Sequence, residues 1–339
     1  MSNKPATIKE IAKILNLSAS SVSRALHDHS SIGLTTRMRV KQLAKELNYV
    51  PNQKAIFFQK GKTFTLGVIV PELSESFFSE AVSGIEDYAL KKNYSVLIAQ
   101  SHDDLEKEIT LAEKFKSHRV DGLLVSLAKT TFNIDHFKQF EDLNIPIVFF
   151  DRIPPVKDIH YVACNMENGT YDAVNFLLKK KHRSIGMING PETLNASAQR
   201  RDGYIQAMVK NRLKFDPSLI INCDLTEQST REAMDKLLNN KRKPTAIVTF
   251  NDYVALYAIK YARFLGIKIN DEIDFVSYAN LPIIHYMDYY PIASVEQNPY
   301  QQGYRASEIL LDLLTKKKSE NEEKEAYYHI TIDPELILH

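Results

Sequence analysis

The stretch Thr7–Leu26, TIKEIAKILNLSASSVSRAL, decides how this chain is read. Thr7-x-x-Glu10 is a capping box, in which hydroxyl and carboxylate satisfy each other's orphan amides at a helix start. Ile8, Ile11, Ala12 and Leu15 follow at i, i+3, i+4 and i+7 and form one apolar stripe. Asn16-Leu17 breaks the period. Ser18 then caps a second helix with Val22, Ala25 and Leu26 facing inward. Two short helices and a tight turn, with small polar and basic residues outward, make a helix-turn-helix. Thr35 is placed to cap a third helix with Val40, Leu43, Ala44 and Leu47 buried; Asn48 stops it and Pro51 bars continuation.

The charge supports this reading. Residues 1–63 carry eleven Lys/Arg against three Asp/Glu, whereas the whole chain of 339 residues is nearly balanced at +1. A basic head on an acidic body suits phosphate binding at one end. The 44% apolar and 25% charged content is that of an ordinary globular chain with room for two or three domains. No run of about 18 apolar residues and no signal-peptide pattern occurs, so a cytoplasmic protein without membrane contact is expected. Cys164 and Cys223 have no metal or redox spacing and read as buried thiols.

Leu17-Ser18-x-x-Ser21-Val22-Ser23-Arg24-Ala25-Leu26 closely resembles the reading head of the lac repressor/galactose repressor (LacI/GalR) family of bacterial transcription regulators. The resemblance continues through Thr36-Arg37, Leu47–Asn52 and Gly67–Pro71, and more loosely to about Gln297. It implies that the second helix enters the major groove, with Ala19, Ser20 and Arg24 toward base edges. Ala19 offers a methyl and Ser20 one hydroxyl, so discrimination falls on Arg24, which can donate two hydrogen bonds to a guanine. Thr7, Ser18, Ser23 and His27 would hold phosphates, and Ser21 shares that surface; each serine could equally be a simple cap. Residues 52–63 would form a hinge helix and linker on DNA, with Asn52 and Ala55 at the interface and Phe58 in place of a minor-groove leucine wedge. The other reading of NQKAIFFQK is a plain linker with its aromatics against the body.

From Thr65, the β-rich runs TLGVIVP, YSVLIA, DGLLVSL and IPIVFFD alternate with helical patterns around 77–91, 105–117 and 134–143. RSIGMING, PTAIVTF and DFVSYAN begin a second series, with helices around 167–180, 197–210, 229–239 and 252–265. This rhythm predicts parallel sheets covered on both faces. The fold class is therefore a small all-α helix-turn-helix head plus an α/β body of two doubly wound parallel-sheet subdomains. By resemblance, the body is like a periplasmic binding protein. It would comprise residues 64–162 plus 294–325 in the first half, and 163–293 plus the C-terminal strand of 326–339 in the second. AYYHITI is taken as that strand.

Ligands of such sheets bind at strand carboxyl ends. The loops there nominate Ser74, Phe77, Phe78, Asp151 and Arg152 as effector contacts; by resemblance, Arg200, three before Gly203 in RRDGY, stands where the family places an arginine that grips effector hydroxyls or a carboxylate, Asn251 of NDYVAL stands at another effector-contacting position, and Asn280 joins them. The phenylalanines could instead be core, Asp151-Arg152 an internal ion pair, and Arg201 the gripping arginine. Where the family carries an aspartate after a strand, this chain reads Ser277-Tyr278-Ala279-Asn280, so Asn280 or a different ligand chemistry must compensate. No GxGxxG, P-loop, nucleophile elbow or zinc spacing occurs, so no cofactor, metal or catalytic residue is expected. The expected function is a dimeric repressor on a near-palindromic double-stranded operator, controlled by a small molecule such as a sugar. A solute-binding protein with the same body is the alternative.

Overall fold

The structure is a computed structural model that describes residues 6–50, 61–316 and 326–339. The chain divides into two compact units, Met1–Thr63 and Phe64–His339.

The first unit contains α1 (Ile8–Leu15), α2 (Ala19–Leu26) and α3 (Leu34–Glu46). Thr7 and Glu10 form the reciprocal capping box, and Ser18 accepts from the Ser21 amide. Ile11, Ala12, Val22, Ala25, Val40 and Ala44 make the core, flanked by Leu15, Leu26, Leu43 and Leu47. α3 starts one residue before the expected cap Thr35: Gly33 is its N-cap and makes no side-chain hydrogen bond. Asn48 takes the left-handed conformation after the helix, as a C-terminal stop requires. Pro51 lies outside the described residues.

In the second unit, one six-stranded parallel sheet has the order β2-β1-β3-β4-β5-β11: β1 Thr65–Val70, β2 Ser95–Gln100, β3 Gly122–Val125, β4 Ile147–Phe150, β5 His160–Cys164 and β11 His329–Ile332. The other has the order β7-β6-β8-β9-β10-β12: β6 Ile185–Asn189, β7 Ile220–Asn222, β8 Ala246–Thr249, β9 Asp274–Tyr278, β10 Ala293–Glu296 and β12 Glu335–Leu338. Only β12 there is antiparallel. Helices α4 (Ser76–Lys91), α5 (Leu105–His118) and the short α6 (Lys138–Glu141) accompany the first sheet. With the second run α7 (Met166–Lys179), α8 (Asn195–Lys210), α9 (Glu227–Leu238) and α10 (Asp252–Phe264); α11 (Pro299–Thr315) returns to pack on α4. That packing needs glycine, because a Cβ on Gly303 would lie 1.9 Å from the Ala81 carbonyl oxygen.

Three expectations are corrected. AYYHITI supplies β11, which pairs in parallel with β5 of the first sheet, and the last strand of the second half is ELIL at β12. β10 pairs with β9, so the chain leaves the second half after Glu296 rather than before Ser294. The region 134–143 is one 3-10 turn followed by the single helical turn α6.

Candidate functional site

In the head, the α2 cap fixes the outward surface. Ser18, Ala19, Ser20 and Arg24 are exposed, while Ser21 and Ser23 are half-buried. The Ser18 hydroxyl accepts from the Ser21 amide at 3.1 Å and lies 2.8 and 2.9 Å from the hydroxyls of Ser20 and Ser21. Thr7 is occupied by Glu10, its amide donating to Oε2 at 2.6 Å, and His27 Nδ1 sits 2.9 Å from the Ser23 carbonyl oxygen. The hydroxyls expected to face DNA thus include the one that caps the helix, as happens when polar residues open a helix. Asn52, Ala55 and Phe58 lie outside the described residues.

The second site is the cleft between the two halves of the body. Strand carboxyl ends deliver Glu75, Phe77 and Phe78 after β1, and Asp151 and Arg152 after β4. The second half contributes Leu194, Ala196 and Arg200, then Phe250, Asn251 and Tyr253, then Ala279 and Leu281; Gln297 follows β10. Phe77 and Phe78 meet edge to face at 5.2 Å and belong to the first hydrophobic core while also lining the cleft. The core and ligand-wall readings are therefore compatible.

Arg200 is 3% exposed, with its guanidinium held between the rings of Phe250 at 4.0 Å and Tyr278 at 4.3 Å. Its Nε and Nη1 have no hydrogen-bond partner. Burial lowers its pKa against the pull of Tyr278 and Asp151. Arg201 is exposed and paired with Asp202, so it is not the cleft arginine. Asp151 has a left-handed backbone, and burial pushes its carboxyl up to about 6 despite Arg152 and Arg200. Glu75 is also raised, by burial first. Arg152 stands 5.3 Å from the Phe78 ring and pairs with Asp103.

Not every nominated residue reaches the cleft. Ser74 is exposed and does not line it. Asn251 lines it, but its Oδ1 caps α10 by accepting from the Val254 amide at 2.9 Å. Asn280 donates to Glu296 at 3.0 Å, and Ala279, rather than Asn280, lines the wall. Ala279 and Asn280 are both left-handed (φ 90° and 50°). Beneath them, fully buried Asp252 accepts from the Leu281 amide at 2.6 Å, from Ser294 at 2.9 Å and from Ser277. Burial raises this carboxyl to about 6.

Sequence reasoning missed Glu75, Tyr253, Phe250, Tyr278 and Gln297. Glu75 immediately follows nominated Ser74, a signal that was available. Phe250 adjoins nominated Asn251 and Tyr253 follows two positions later, whereas Tyr278 meets Arg200, and Gln297 the cleft, only through the fold. A larger chamber of about 380 Å³ adjoins the cleft and shares Arg152, Leu194 and Ala196 with it.

Comparison with known proteins agrees with this architecture. Residues 63–334 match the family of periplasmic binding proteins and sugar binding domain of LacI family, and residues 7–52 match bacterial regulatory proteins, lacI family. The HTH-type transcriptional repressor CytR of Escherichia coli (strain K12) is 30% identical over 308 residues, covering 91% of this chain and 89% of that one. PurR of Aliivibrio salmonicida, another HTH-type transcriptional repressor, is 29% identical over 316 residues, covering 93% and 94%. The lac repressor dimer bound to operator and the anti-inducer ONPF shares the fold, with a TM-score of 0.82 at 23% identity over 98% of each chain. Among the described residues, no helix is long and apolar enough to cross a membrane. The chain therefore belongs to the lacI family of bacterial regulatory proteins, and is a DNA-binding transcription repressor controlled by a small-molecule effector rather than an enzyme.

Proposed function

We propose that the protein acts in the cytoplasm as a homodimer on a near-palindromic operator, and that the cleft around Arg200 is where its effector binds. The observation that carries the second part is Arg200 itself, a buried cation at the cleft wall whose Nε and Nη1 are unpartnered. Burying donors without acceptors is costly, so a ligand that supplies acceptors relieves that cost. The effector is a small polar metabolite with acceptor oxygens or nitrogens toward Arg200 and a flat or apolar face toward Phe77 and Phe78. Asp151 and Glu75 would receive its hydroxyl or amine hydrogens. A sugar fits these needs, although Ala279 offers it no side-chain acceptor.

Two-fold pairing is supported by apolar surface on the second half: Phe264 is 82% and Tyr286 87% exposed, with Ile283 and Met287 close in sequence. In the head, Arg24 would read a guanine, and Ala19 and Ser20 the neighbouring bases. The hinge positions Asn52, Ala55 and Phe58 would engage the minor groove when two subunits meet. Effector binding would shift the arrangement of the two halves, and so operator affinity, by its differential affinity for two states.

A thermal-shift screen against sugars, sugar phosphates and nucleobases tests the cleft. A hit should vanish in Arg200→Met, while that variant still retards a selected operator on a gel. A hit whose affinity is unchanged in Arg200→Met places the effector elsewhere.

A further inference from the structure

We propose that Lys129 is a latch that holds the two halves of the body together, and that Asp103 ties this latch to the effector cleft. The inference rests on the cleft reading above and assigns its regulation.

Lys129 lies in the first half, in the loop that follows β3. From there it makes two hydrogen bonds to the second half: its carbonyl oxygen accepts from the Thr193 hydroxyl at 2.5 Å, and its Nζ donates to the Asp224 carbonyl oxygen at 3.1 Å. Thr193 follows β6 and Asp224 follows β7, so one residue engages two separate loops of the opposite half.

The arm carrying Lys129 is rigidly based. Fully buried Glu108 accepts from the Ala128 amide at 2.7 Å, the Thr131 hydroxyl at 2.9 Å and faces His136 Nε2 at 3.0 Å. Thr130 bridges the Asp103 carbonyl oxygen and the Leu105 amide. Asp103 Oδ1 accepts from the Lys129 amide at 3.0 Å and also pairs with Arg152, which lines the cleft. One carboxylate oxygen therefore serves both a cleft side chain and the latch. His102 and Asp103 are consecutive non-glycine residues with left-handed backbones (φ 52° and 57°). Such conformations persist where the surroundings over-determine them, and they gather at functional sites. The hydrogen bonds just named supply that determination here.

The arrangement has a direct consequence. A ligand that draws Arg152 into the cleft competes with Asp103 for the guanidinium and frees the carboxylate that positions Lys129 to move, while one that leaves the Arg152–Asp103 pair intact favours the latched state. Arg152 and Lys129 are thus coupled through Asp103, and Asp103 is a positioning residue rather than a ligand contact.

The test uses the full chain without effector. Lys129→Met keeps the stem and removes the Nζ donor, and Thr193→Val removes the hydroxyl. Hydrogen exchange is followed over 128–131, 193–196 and 222–226, with solution scattering as a second readout. Each lost bond should raise exchange in these segments about fivefold, the equivalent of one net hydrogen bond, and the pair of variants should raise the radius of gyration. Exchange in the β1 and β6 cores should stay at the wild-type rate, which separates unlatching from misfolding. Unchanged exchange and scattering in the double variant would overturn the latch. Arg152→Met and Lys129→Met should be non-additive in the wild-type background and additive in Asp103→Asn, which can still accept from the Lys129 amide but no longer pairs a charge with Arg152. Additivity in both backgrounds would overturn the coupling while leaving the latch and the Arg200 site standing.

Discussion

The residues of the head proposed to face DNA, Ser18, Ala19, Ser20 and Arg24, occupy one eight-residue helix and its cap and lie open to solvent. The cleft draws Glu75, Asp151, Arg200 and Ala279 from four separate segments and withdraws them wholly or partly from water. The difference is one of which physics prepares each site. Local hydrogen bonding and helical period suffice to present a reading helix. The cleft depends on long-range packing, and its charged groups are poised because burial has altered them. Asp151 and Asp252 are both pushed up to about 6, and Arg200 is stacked with unpartnered donors. Substitutions in the head should therefore act on one helix, whereas those in the cleft touch groups that several segments share.

The largest expected effect is at Asp252. Asp252→Ala leaves the Leu281 amide and the Ser277 and Ser294 hydroxyls without their acceptor, and each unpaired buried donor costs about 1–3 kcal/mol. Urea denaturation should show the body less stable by about 3 kcal/mol or more. A loss below about 1 kcal/mol would mean that the loop after β9 stands without this carboxylate.

Arg24→Ala comes next. It should lower operator affinity by roughly 1–3 kcal/mol and relax preference at one base position, with no change in thermal stability. A titration series over single-base operator variants reads both quantities. A uniform loss across all variants would make Arg24 a phosphate contact instead.

Arg200→Met separates the two regions most clearly. Replacing a buried cation by an apolar chain of similar volume should leave stability unchanged or raise it by about 1 kcal/mol, even though effector response disappears. A large drop in melting temperature would show that the guanidinium is structural, stacked on Phe250 and Tyr278 for packing alone.

Ser18→Ala should cost about 1 kcal/mol in the head, the usual worth of an N-cap, and leave the cleft untouched. Hydrogen exchange of the Ser20–Val22 amides in the full chain reports it.

The smallest effect is with pH. A carboxyl whose folded value lies near 6, against an ordinary 3.8, keeps a proton in the folded chain that the unfolded chain has released. Body stability should therefore rise as pH falls from above 6 toward 4, and the gain is lost again on raising pH through 6. Denaturation midpoints at pH 7.5 and 5.5 read the slope. Asp252→Asn should flatten it, and an unchanged slope would remove Asp252 from the account.

Much of this was present in the order of residues. The Thr7–Glu10 box, the Ser18 cap and the inward Val22 and Ala25 needed only neighbours three and four positions away, and the structure keeps all of them. The alternation of apolar runs and helical patterns disclosed two α/β halves. Arg200 stood out through its likeness to a family position. By contrast, AYYHITI gave no sign of which sheet it would join, because both edges were open to an apolar strand near the C-terminus. The start of α3 moved from Thr35 to Gly33, since an extended glycine can open a helix without a side-chain cap.

Periodicity and capping chemistry, being contacts between residues close along the chain, settled from sequence alone that this protein has a helix-turn-helix head and a doubly wound body. The partners of Arg200, the carboxylate shared by Arg152 and Lys129, and Asp252 beneath the Ala279 loop were decided only by the tertiary structure. Those groups lie 25 to 78 residues from their partners, and only sheet packing brings them to one place.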